Sequence, residues 1–382
     1  MLLMLAFAIG GNLPDLDLFM SFRGFARGKL AYLLQHRGYT HTLLGCLALG
    51  LLLYGALALW MRWRRLRPTA REQRLLLAAT LLGTGLHLLM DFLNSYGVHP
   101  FWPLVNRWYY GDSVFIVEPL YWIAVTPLIF VQRSRLARTL LGLAVGAALA
   151  LSAFSGFVPR PIVALLILFA AGLLLLGARC SVRVAAHASL VACLGITALF
   201  VVSGALARAQ AARLAGAEAF SLADAALTPL PANPLCWDVI LMQERAGGLR
   251  LRRATLSIAP GWLAAARCPR ALVAGRTTAP LIPVPAPDTP QVRWLGELEI
   301  PAHALAALAQ RDCGARALLR FVRAPFIAPY GKASVLGDLR FDREPGLGFA
   351  EVLVPPASAA AAAVATCAPL PPWVAPRAEL LK

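Results

Sequence analysis

The chain has 382 residues, of which 59% are hydrophobic and 14% charged, and its formal net charge is +17. Soluble domains contain about 45–50% apolar residues, so this composition argues against an ordinary soluble protein. The arginines fall in short links without a recognition motif around them, which argues against a nucleic-acid partner.

Six apolar runs, taken in chain order, predict membrane-spanning helices. Each run approaches the roughly 20 residues that a helix needs to cross about 30 Å of hydrocarbon. The first nine residues are also apolar but too few to span a membrane alone. The six predicted spans are residues 43–61, 75–93, 114–131, 140–158, 162–178 and 184–207.

Arginines concentrate in every second link between these spans. Positive charges near span ends are retained in the cytoplasm, so these links are predicted to be cytoplasmic. The segments predicted to lie outside are residues 10–42, residues 94–113 and everything after residue 208. Four basic residues in the first outer segment oppose this orientation: Arg23, Arg27, Lys29 and Arg37.

The composition changes after Ala207, where prolines become frequent and continuous apolar runs stop. Short β-forming stretches separated by turn residues predict strands at 237–242, 249–258, 291–300, 318–322 and 333–341. A short helix is predicted at 301–310. The predicted fold class is mainly α, a polytopic membrane helix bundle of about six spans with a C-terminal extracytoplasmic β-rich domain. The predicted domains are a membrane domain over 1–207, the β-rich domain over 208–355, and a loosely packed Ala/Pro-rich tail over 356–382.

Four of the seven cysteines fall in the predicted outer region. In an oxidising compartment these four could form two disulfides, for which three pairings exist. The alternative is that they remain thiols. The four residues are Cys236, Cys268, Cys313 and Cys367.

Three short motifs in the first quarter of the chain collect histidines and carboxylates. The chain has only six histidines and 19 Asp and Glu residues. Nitrogen and oxygen donors at such spacing are what a divalent metal site needs. Ionisable groups beside a membrane interior are costly unless they have a function. The residues predicted to bind metal are Asp15, Asp17, His36, His41, His87 and Asp91.

The spacing within two motifs limits how their residues can meet. His87 and Asp91 are four apart on a predicted helix, so both project from one face. They can bind one ion, Asp91 can orient His87, or the pair can only pack helices. His36 and His41 are five apart, so the loop at Gly38 must help if both bind one ion. Their alternative role is as two interfacial histidines.

The remaining motif places two carboxylates on either side of one leucine. In an extended segment residues two apart face the same way, so Asp15 and Asp17 could complete the metal shell or hold a second ion. Alternatively, Asp17 only caps a helix. Thr40 is predicted to cap the first span. Because all three motifs fall on the outer side derived from the arginines, we predict one shared site.

Two further carboxylates lie on the same predicted side. Asp112 precedes the third predicted span and Glu118 lies about one turn inside it, so either could be a further ligand or a general base. They are the predicted catalytic residues. His99 is predicted to be an interfacial loop residue beside an aromatic belt.

These motifs, in this order, resemble the YdjM-type family of membrane-bound metal-dependent hydrolases. The similarity covers roughly residues 5–125 and continues through Trp102-Pro103, Asp112 and Glu118-Pro119-Leu120. The resemblance implies metal binding more strongly than turnover. Relatives usually carry a Thr-His-Ala-Leu-Leu-Gly helix before the first motif, so a ligand histidine is expected to be absent here or to lie upstream of Met1. Glu118 also stands where relatives often have Asp.

The sequence therefore predicts a membrane-embedded metal-dependent hydrolase at the outer face of a bacterial-type cytoplasmic membrane. The expected cofactor is a divalent metal, Zn²⁺ first and Mn²⁺ second. The expected partners are membrane lipids, and the substrate is a lipid-linked ester or phosphoester. One alternative is a non-catalytic metal-binding scaffold whose outer domain binds a partner. Another is an ion transporter, which the scarcity of polar residues in spans four to six disfavours.

Overall fold

The computed structural model describes residues 2–19, 28–216, 221–245, 247–269, 277–343, 346–356, 367 and 369–381. Helices form the first half of the chain and two antiparallel sheets form most of the second. The helices are α1 (Leu2–Gly10), α2 (Lys29–Gln35), α3 (Leu43–Trp63), α4 (Ala70–Leu93), α5 (Pro119–Ala124), α6 (Leu128–Val131), α7 (Arg135–Phe154), α8 (Arg160–Arg179), α9 (Val182–Gly216), α10 (Ala302–Arg311) and α11 (Cys313–Leu318). Short 3-10 turns occur at Pro14–Asp17, Tyr39–His41, Ala265–Arg267 and Ala378–Leu381.

Five of the described helices are long and apolar enough to cross a membrane. They are α3, α4, α7, α8 and α9. Helices α3, α4, α8 and α9 each cover one of the runs predicted from composition and extend beyond it, whereas α7 begins five residues before the predicted 140–158 run and ends four residues before its end. The predicted fold class, a polytopic helix bundle followed by a β-rich domain, is therefore confirmed.

The third predicted span, residues 114–131, differs from a single long helix. It forms the two short helices α5 and α6, which pack against α7, α8 and α9. Proline explains the interruption, since it lacks an N–H and is tolerated only in the first turn of a helix. Pro119 begins α5, and Pro127 immediately precedes α6. A Cβ on Gly177 would lie 2.9 Å from Pro127, so the broken segment fits closely against α8.

Capping residues fix the two ends of the α3–α4 hairpin. Thr42 accepts a hydrogen bond from the Gly45 amide at 2.7 Å and so begins α3. The predicted cap, Thr40, is wrong by two residues, because its hydroxyl is used elsewhere. Thr69 and Glu72 form a reciprocal capping box at the start of α4.

The β-rich region contains two antiparallel sheets. The first has the order β1-β2-β3-β4 and the second β5-β6-β7. The strands are β1 (Ser221–Leu230), β2 (Asn233–Arg245), β3 (Gly248–Ser257), β4 (Val292–Pro301), β5 (Pro325–Tyr330), β6 (Ala333–Asp338) and β7 (Glu351–Val354). The helix predicted at 301–310 is confirmed as α10. The strand predicted at 318–322 is wrong, because α11 ends at Leu318 and a turn follows.

The β-rich region packs directly on one end of the helix bundle. Helix α9 continues beyond the membrane length and buries Ala207 and Ala211 against Trp237 of β2. Arg340 donates a hydrogen bond to the Ser95 carbonyl at 2.6 Å, just after the end of α4. The two parts of the chain therefore share an interface at the ends of α4 and α9.

Two disulfides link the cysteines of this region, Cys236 with Cys268 and Cys313 with Cys367. The second joins the end of the chain to α11. Beyond it, Trp373 is fully buried, and its indole N–H donates to the Leu34 carbonyl at 2.8 Å. Trp373 is thus packed more tightly than the loosely packed tail expected over 356–382, while residues 357–366 all lie outside those described.

Candidate metal centre

The three motifs converge at one end of the α3–α4 hairpin. The Pro14–Asp17 turn follows α1, the Tyr39–His41 turn precedes α3, and His87 and Asp91 lie in the last two turns of α4. The arginine-rich link between α3 and α4 lies at the opposite end, because both helices run the full length of the hairpin. The cluster is therefore placed at the end of the bundle that carries the β-rich region.

Four side chains bring their donor atoms together. The Nε2 atoms of His41 and His87 are 3.0 Å apart, and Asp15 Oδ1 lies 3.4 Å from each. Asp91 Oδ2 lies 3.0 Å from His41 Nε2 and 3.5 Å from His87 Nε2. These four atoms come from three separate segments of the chain, so the fold and not local sequence brings them together.

The spacing of these four donors fits one tetrahedral ion. Zinc bonds to nitrogen and oxygen are about 2.0–2.2 Å long, and a tetrahedron's edge is about 1.6 times its centre-to-corner distance, so donors should lie roughly 3.3–3.5 Å apart. Five donor pairs in this cluster are separated by 3.0–3.5 Å. Asp91 Oδ2 is also buried, and its polar neighbours in the described structure are the two histidine nitrogens, so a cation between these atoms would satisfy it.

The other ring nitrogen of each histidine is held by an acceptor. His87 Nδ1 lies 2.7 Å from the Gly11 carbonyl oxygen, and His41 Nδ1 lies 3.1 Å from Asp17 Oδ2. A carbonyl or carboxylate acceptor keeps the proton on Nδ1, so Nε2 can direct a lone pair into the cluster. Such acceptors fix the tautomer and the orientation of metal-binding histidines.

Both carboxylate oxygens of Asp17 have polar partners, and Asp17 contacts His41 on the side of the ring away from the four donors. It accepts from the Arg37 amide at 3.0 Å and from the Thr40 hydroxyl at 2.7 Å. His36 Nδ1 lies 3.0 Å from its other oxygen. Asp17, His36 and His41 form a second group close enough to hold a metal ion, and the hydrogen bonds on Asp17 are also those that a carboxylate orienting a histidine would accept.

Arg37 connects the second motif to the third. Its Nη2 lies 2.8 Å from Asp91 Oδ1, and its Nη1 donates to Asn94 Oδ1 at 2.8 Å. The guanidinium also lies 4.7 Å from the centre of the Tyr96 ring. Arg37 is buried, and its contact with Oδ1 leaves Oδ2 of Asp91 directed at the histidines.

Burial and the neighbouring histidines shift the pKa of the carboxyl groups outside the spans in opposite directions. Burial raises the pKa of Asp17, but hydrogen bonds from His36 and His41 outweigh it and lower the pKa to about 2. The pKa of Asp15 is held below its usual range in the same way, by His41 and His87. Burial lowers the pKa of His41, but its bonds to Asp15, Asp17 and Asp91 raise it to about 10. The metal-free cluster therefore keeps anionic carboxylates and a proton on His41 that a cation must displace.

The two residues predicted to be catalytic lie away from this cluster. Asp112 is buried and pairs with Arg208 at 2.9 Å and with Arg323 at 2.9 Å. Glu118 caps α5 and accepts the Ala232 amide at 3.1 Å, which fastens the β1–β2 turn to the bundle. Their oxygens are held by these partners, and no contact among the described residues joins either carboxylate to the four donors.

The remaining histidines are not brought to the cluster by any contact among the described residues. His99 is fully buried, against the expectation of an interfacial loop residue, and lies between the rings of Trp108 and Trp373. Burial lowers its pKa to about 3. His187 and His303 are exposed.

Sequence reasoning did not identify the residues that support the cluster from a distance. A Cβ on Gly83 would lie 2.6 Å from the Phe7 carbonyl oxygen, so a glycine there lets α1 approach α4. That approach places the Gly11 carbonyl beside His87. A main-chain acceptor such as the Gly11 carbonyl leaves no pattern in the sequence. The one available signal was Gly83, because a glycine within an apolar helix indicates a close approach of another segment.

Residues 1–161 match the model of the family described as YdjM inner membrane protein. The match covers all three motifs and the first three of the five spanning helices, α3, α4 and α7. No curated protein and no solved structure matches the chain. Residues 1–161 are therefore similar to the YdjM inner membrane protein family, and this similarity, together with the five apolar helices, supports a multi-pass inner membrane protein.

Proposed function

We propose that this protein is a metal-dependent hydrolase that acts where the membrane meets water, on a lipid-linked ester or phosphoester. The observation that carries this proposal is the convergence of four nitrogen and oxygen donors at 3.0–3.5 Å. The Asp15 side chain is 41% exposed, whereas His41 is fully buried. One edge of the cluster is therefore open to water or substrate.

The residues that would hold the ion are Asp15, His41, His87 and Asp91. Two imidazoles and two carboxylates suit Zn²⁺ best and Mn²⁺ next. When bound, such an ion polarises an ester or phosphoryl oxygen and lowers the pKa of water to about 7.

The chain's own residues have distinct tasks in this proposal. Asp17 holds the proton on Nδ1 of His41, and Arg37 fixes the orientation of Asp91. Asp15 is the more exposed of the two carboxylates and makes its cluster contacts through Oδ1.

The proposed orientation puts the cluster and the β-rich region outside the cytoplasm. Two disulfides lie on that side of the bundle, and disulfides persist in oxidising compartments. The arginine-rich link from Arg64 to Thr69 lies at the other end. A reporter fused after Arg213 tests this arrangement, because a cytoplasmic signal there would overturn it.

The decisive experiment is metal analysis of detergent-purified protein, followed by a screen of ester and phosphoester lipids. We expect about one equivalent of metal in the wild type. The variants His41→Ala and Asp91→Asn should lose both metal and hydrolysis. The matched control is His303→Ala, which removes an exposed histidine of the β-rich region and should change neither. Wild-type protein without bound metal would contradict the proposal.

The alternative is a metal-dependent scaffold without turnover. Its support is the extensive contact between the site-bearing loop and the end of the chain, where Trp373 packs on Tyr39 and on His99. The two functions give different outcomes in the same experiment. Loss of metal in Asp91→Asn without change in any lipid product would favour the scaffold.

A further inference from the structure

A second polar cavity lies at the same end of the bundle, between the spans and the β-rich region. Its volume is about 660 Å³. Its walls come from the end of α4, the loop before α5, helix α9, strand β1, the segment before β5 and the end of the chain. None of the four proposed metal ligands lines it. The residues that define its chemistry are Phe92, Val201, Arg107, Arg208, Arg323 and Arg377.

Along helix α9, the wall of the cavity changes from apolar at Val201 to basic at Arg208. Arg183 is the last charged residue before the apolar part of α9. At 1.5 Å per residue, Val201 lies about 27 Å and Arg208 about 38 Å along the helix from Arg183. The hydrocarbon is about 30 Å thick, so Val201 lies near its edge and Arg208 lies at the depth of lipid phosphates. Val201 is 40% exposed, which leaves the apolar side open to lipid.

Carboxylates compensate some of the arginines but not all of them. Arg323 is buried and paired with Asp112 and with Asp224 at 2.8–2.9 Å. Arg377 lies 3.3 Å from Asp224 and 3.4 Å from Glu379. These ion pairs hold the inner wall of the cavity in place. The exposed arginines are the cations that remain accessible to a ligand.

The exposed cations are Arg107 and Arg208. The Arg208 side chain is 45% exposed, although one of its nitrogens is 2.9 Å from Asp112. Arg107 is exposed and, within the described residues, has no carboxylate within 4.0 Å. Four arginines against Asp112, Asp224 and Glu379 leave one positive charge, which matches a phosphodiester monoanion. Guanidinium groups bind phosphate oxygens in a two-pronged geometry.

We propose that this cavity binds the phosphate head group of an anionic membrane lipid, with the lipid's apolar part toward Phe92 and Val201. The gradient from apolar to basic favours a lipid over free phosphate. This site goes beyond the proposed hydrolase function, because head-group binding requires neither the metal nor turnover.

The test measures the lipid retained by the full-length protein. Protein is extracted from vesicles of equal parts phosphatidylglycerol and phosphatidylcholine, and bound lipid is counted by native mass spectrometry. Wild type should retain phosphatidylglycerol selectively. Arg107→Gln should reduce that retention about fivefold, as expected for one arginine near a membrane surface. The matched control is Arg267→Gln, an exposed arginine of the β-rich region that should have no effect.

A second variant tests the cavity without changing its charge. Ala378 lines the cavity, and Ala378→Trp should exclude the lipid while thermal stability is unchanged. Equal phosphatidylglycerol retention by wild type, Arg107→Gln and Ala378→Trp would overturn the proposal. Stabilisation by inorganic phosphate alone, lost in Arg107→Gln and without selective lipid retention, would also overturn it and would show a site for phosphate from water.

Discussion

Asp17 Oδ2 lies 3.1 Å from Nδ1 of His41, while Nε2 of the same ring faces Asp15 and Asp91. The second motif is therefore linked to the first at two levels, through a donor cluster and through the carboxylate behind it. The Thr40 hydroxyl, which donates to the same oxygen, extends this second level.

Replacement of this supporting carboxylate should weaken metal binding without removing a ligand. In Asp17→Asn the charge that stabilises the His41 ring is lost, so metal affinity should fall about 10–100-fold. Competition with a chelator measures the change. Asp288→Asn, which alters an exposed aspartate of the β-rich region, should bind metal like the wild type. Unchanged affinity in Asp17→Asn would show that Asp17 does not support the site.

The close approach of α1 to α4 gives a second prediction. In Gly83→Ala the new Cβ would lie 2.6 Å from the Phe7 carbonyl oxygen and 3.0 Å from the Gly11 amide. Helix α1 must then move, which withdraws the Gly11 carbonyl from His87, and metal affinity should fall about tenfold. Gly85→Ala is the matched control, because its Cβ would meet open space. The two variants should therefore differ when titrated with Zn²⁺ in parallel.

Metal binding should strengthen as the pH rises. The carboxylates raise the pKa of His41 to about 10, so its ring is protonated in the metal-free protein at neutral pH. Because the metal must displace that proton, affinity should rise about tenfold per pH unit for this group. Titration at about pH 6, 7 and 8 measures the slope. A flat profile would mean that His41 binds metal without releasing a proton.

The sequence predicted the spans and the motif residues because both depend on local properties. Apolar length identifies α3 and α4 wherever the rest of the chain lies. The four-residue spacing of His87 and Asp91 likewise puts both on one face of α4. The sequence could not predict which of the candidate residues face one another and which lie behind them, as Asp17 does, since this depends on how three separate segments pack.

For Asp112 and His99, the environment in the structure differs from the one predicted, because their partners lie far away in the sequence. Asp112 looked like a free carboxylate because Arg208 and Arg323, its partners, come 96 and 211 residues later. His99 looked interfacial because Trp373, which stacks on it at 3.9 Å, belongs to the last part of the chain. Neither relationship has a local signal in the sequence.

The end of the chain should contribute strongly to stability although its composition suggested a loose tail. Trp373 is fully buried, donates its indole N–H to the Leu34 carbonyl, and lies 4.9 Å from the Tyr39 ring. Trp373→Ala removes this packing and leaves a cavity, so it should cost about 3–5 kcal/mol in the free energy of unfolding. Thermal unfolding of the detergent-purified protein measures the loss.

The matched control for this substitution is Trp262→Ala, because Trp262 is 86% exposed. Its removal should change the free energy of unfolding by about 0.5 kcal/mol or less. Trp373 also packs beside Gly38, in the loop between His36 and His41, where a Cβ would lie 3.0 Å from the indole ring. Trp373→Ala should therefore weaken metal binding as well as stability. If both tryptophan variants unfold at the wild-type temperature, residues near Trp373 do not anchor the chain end.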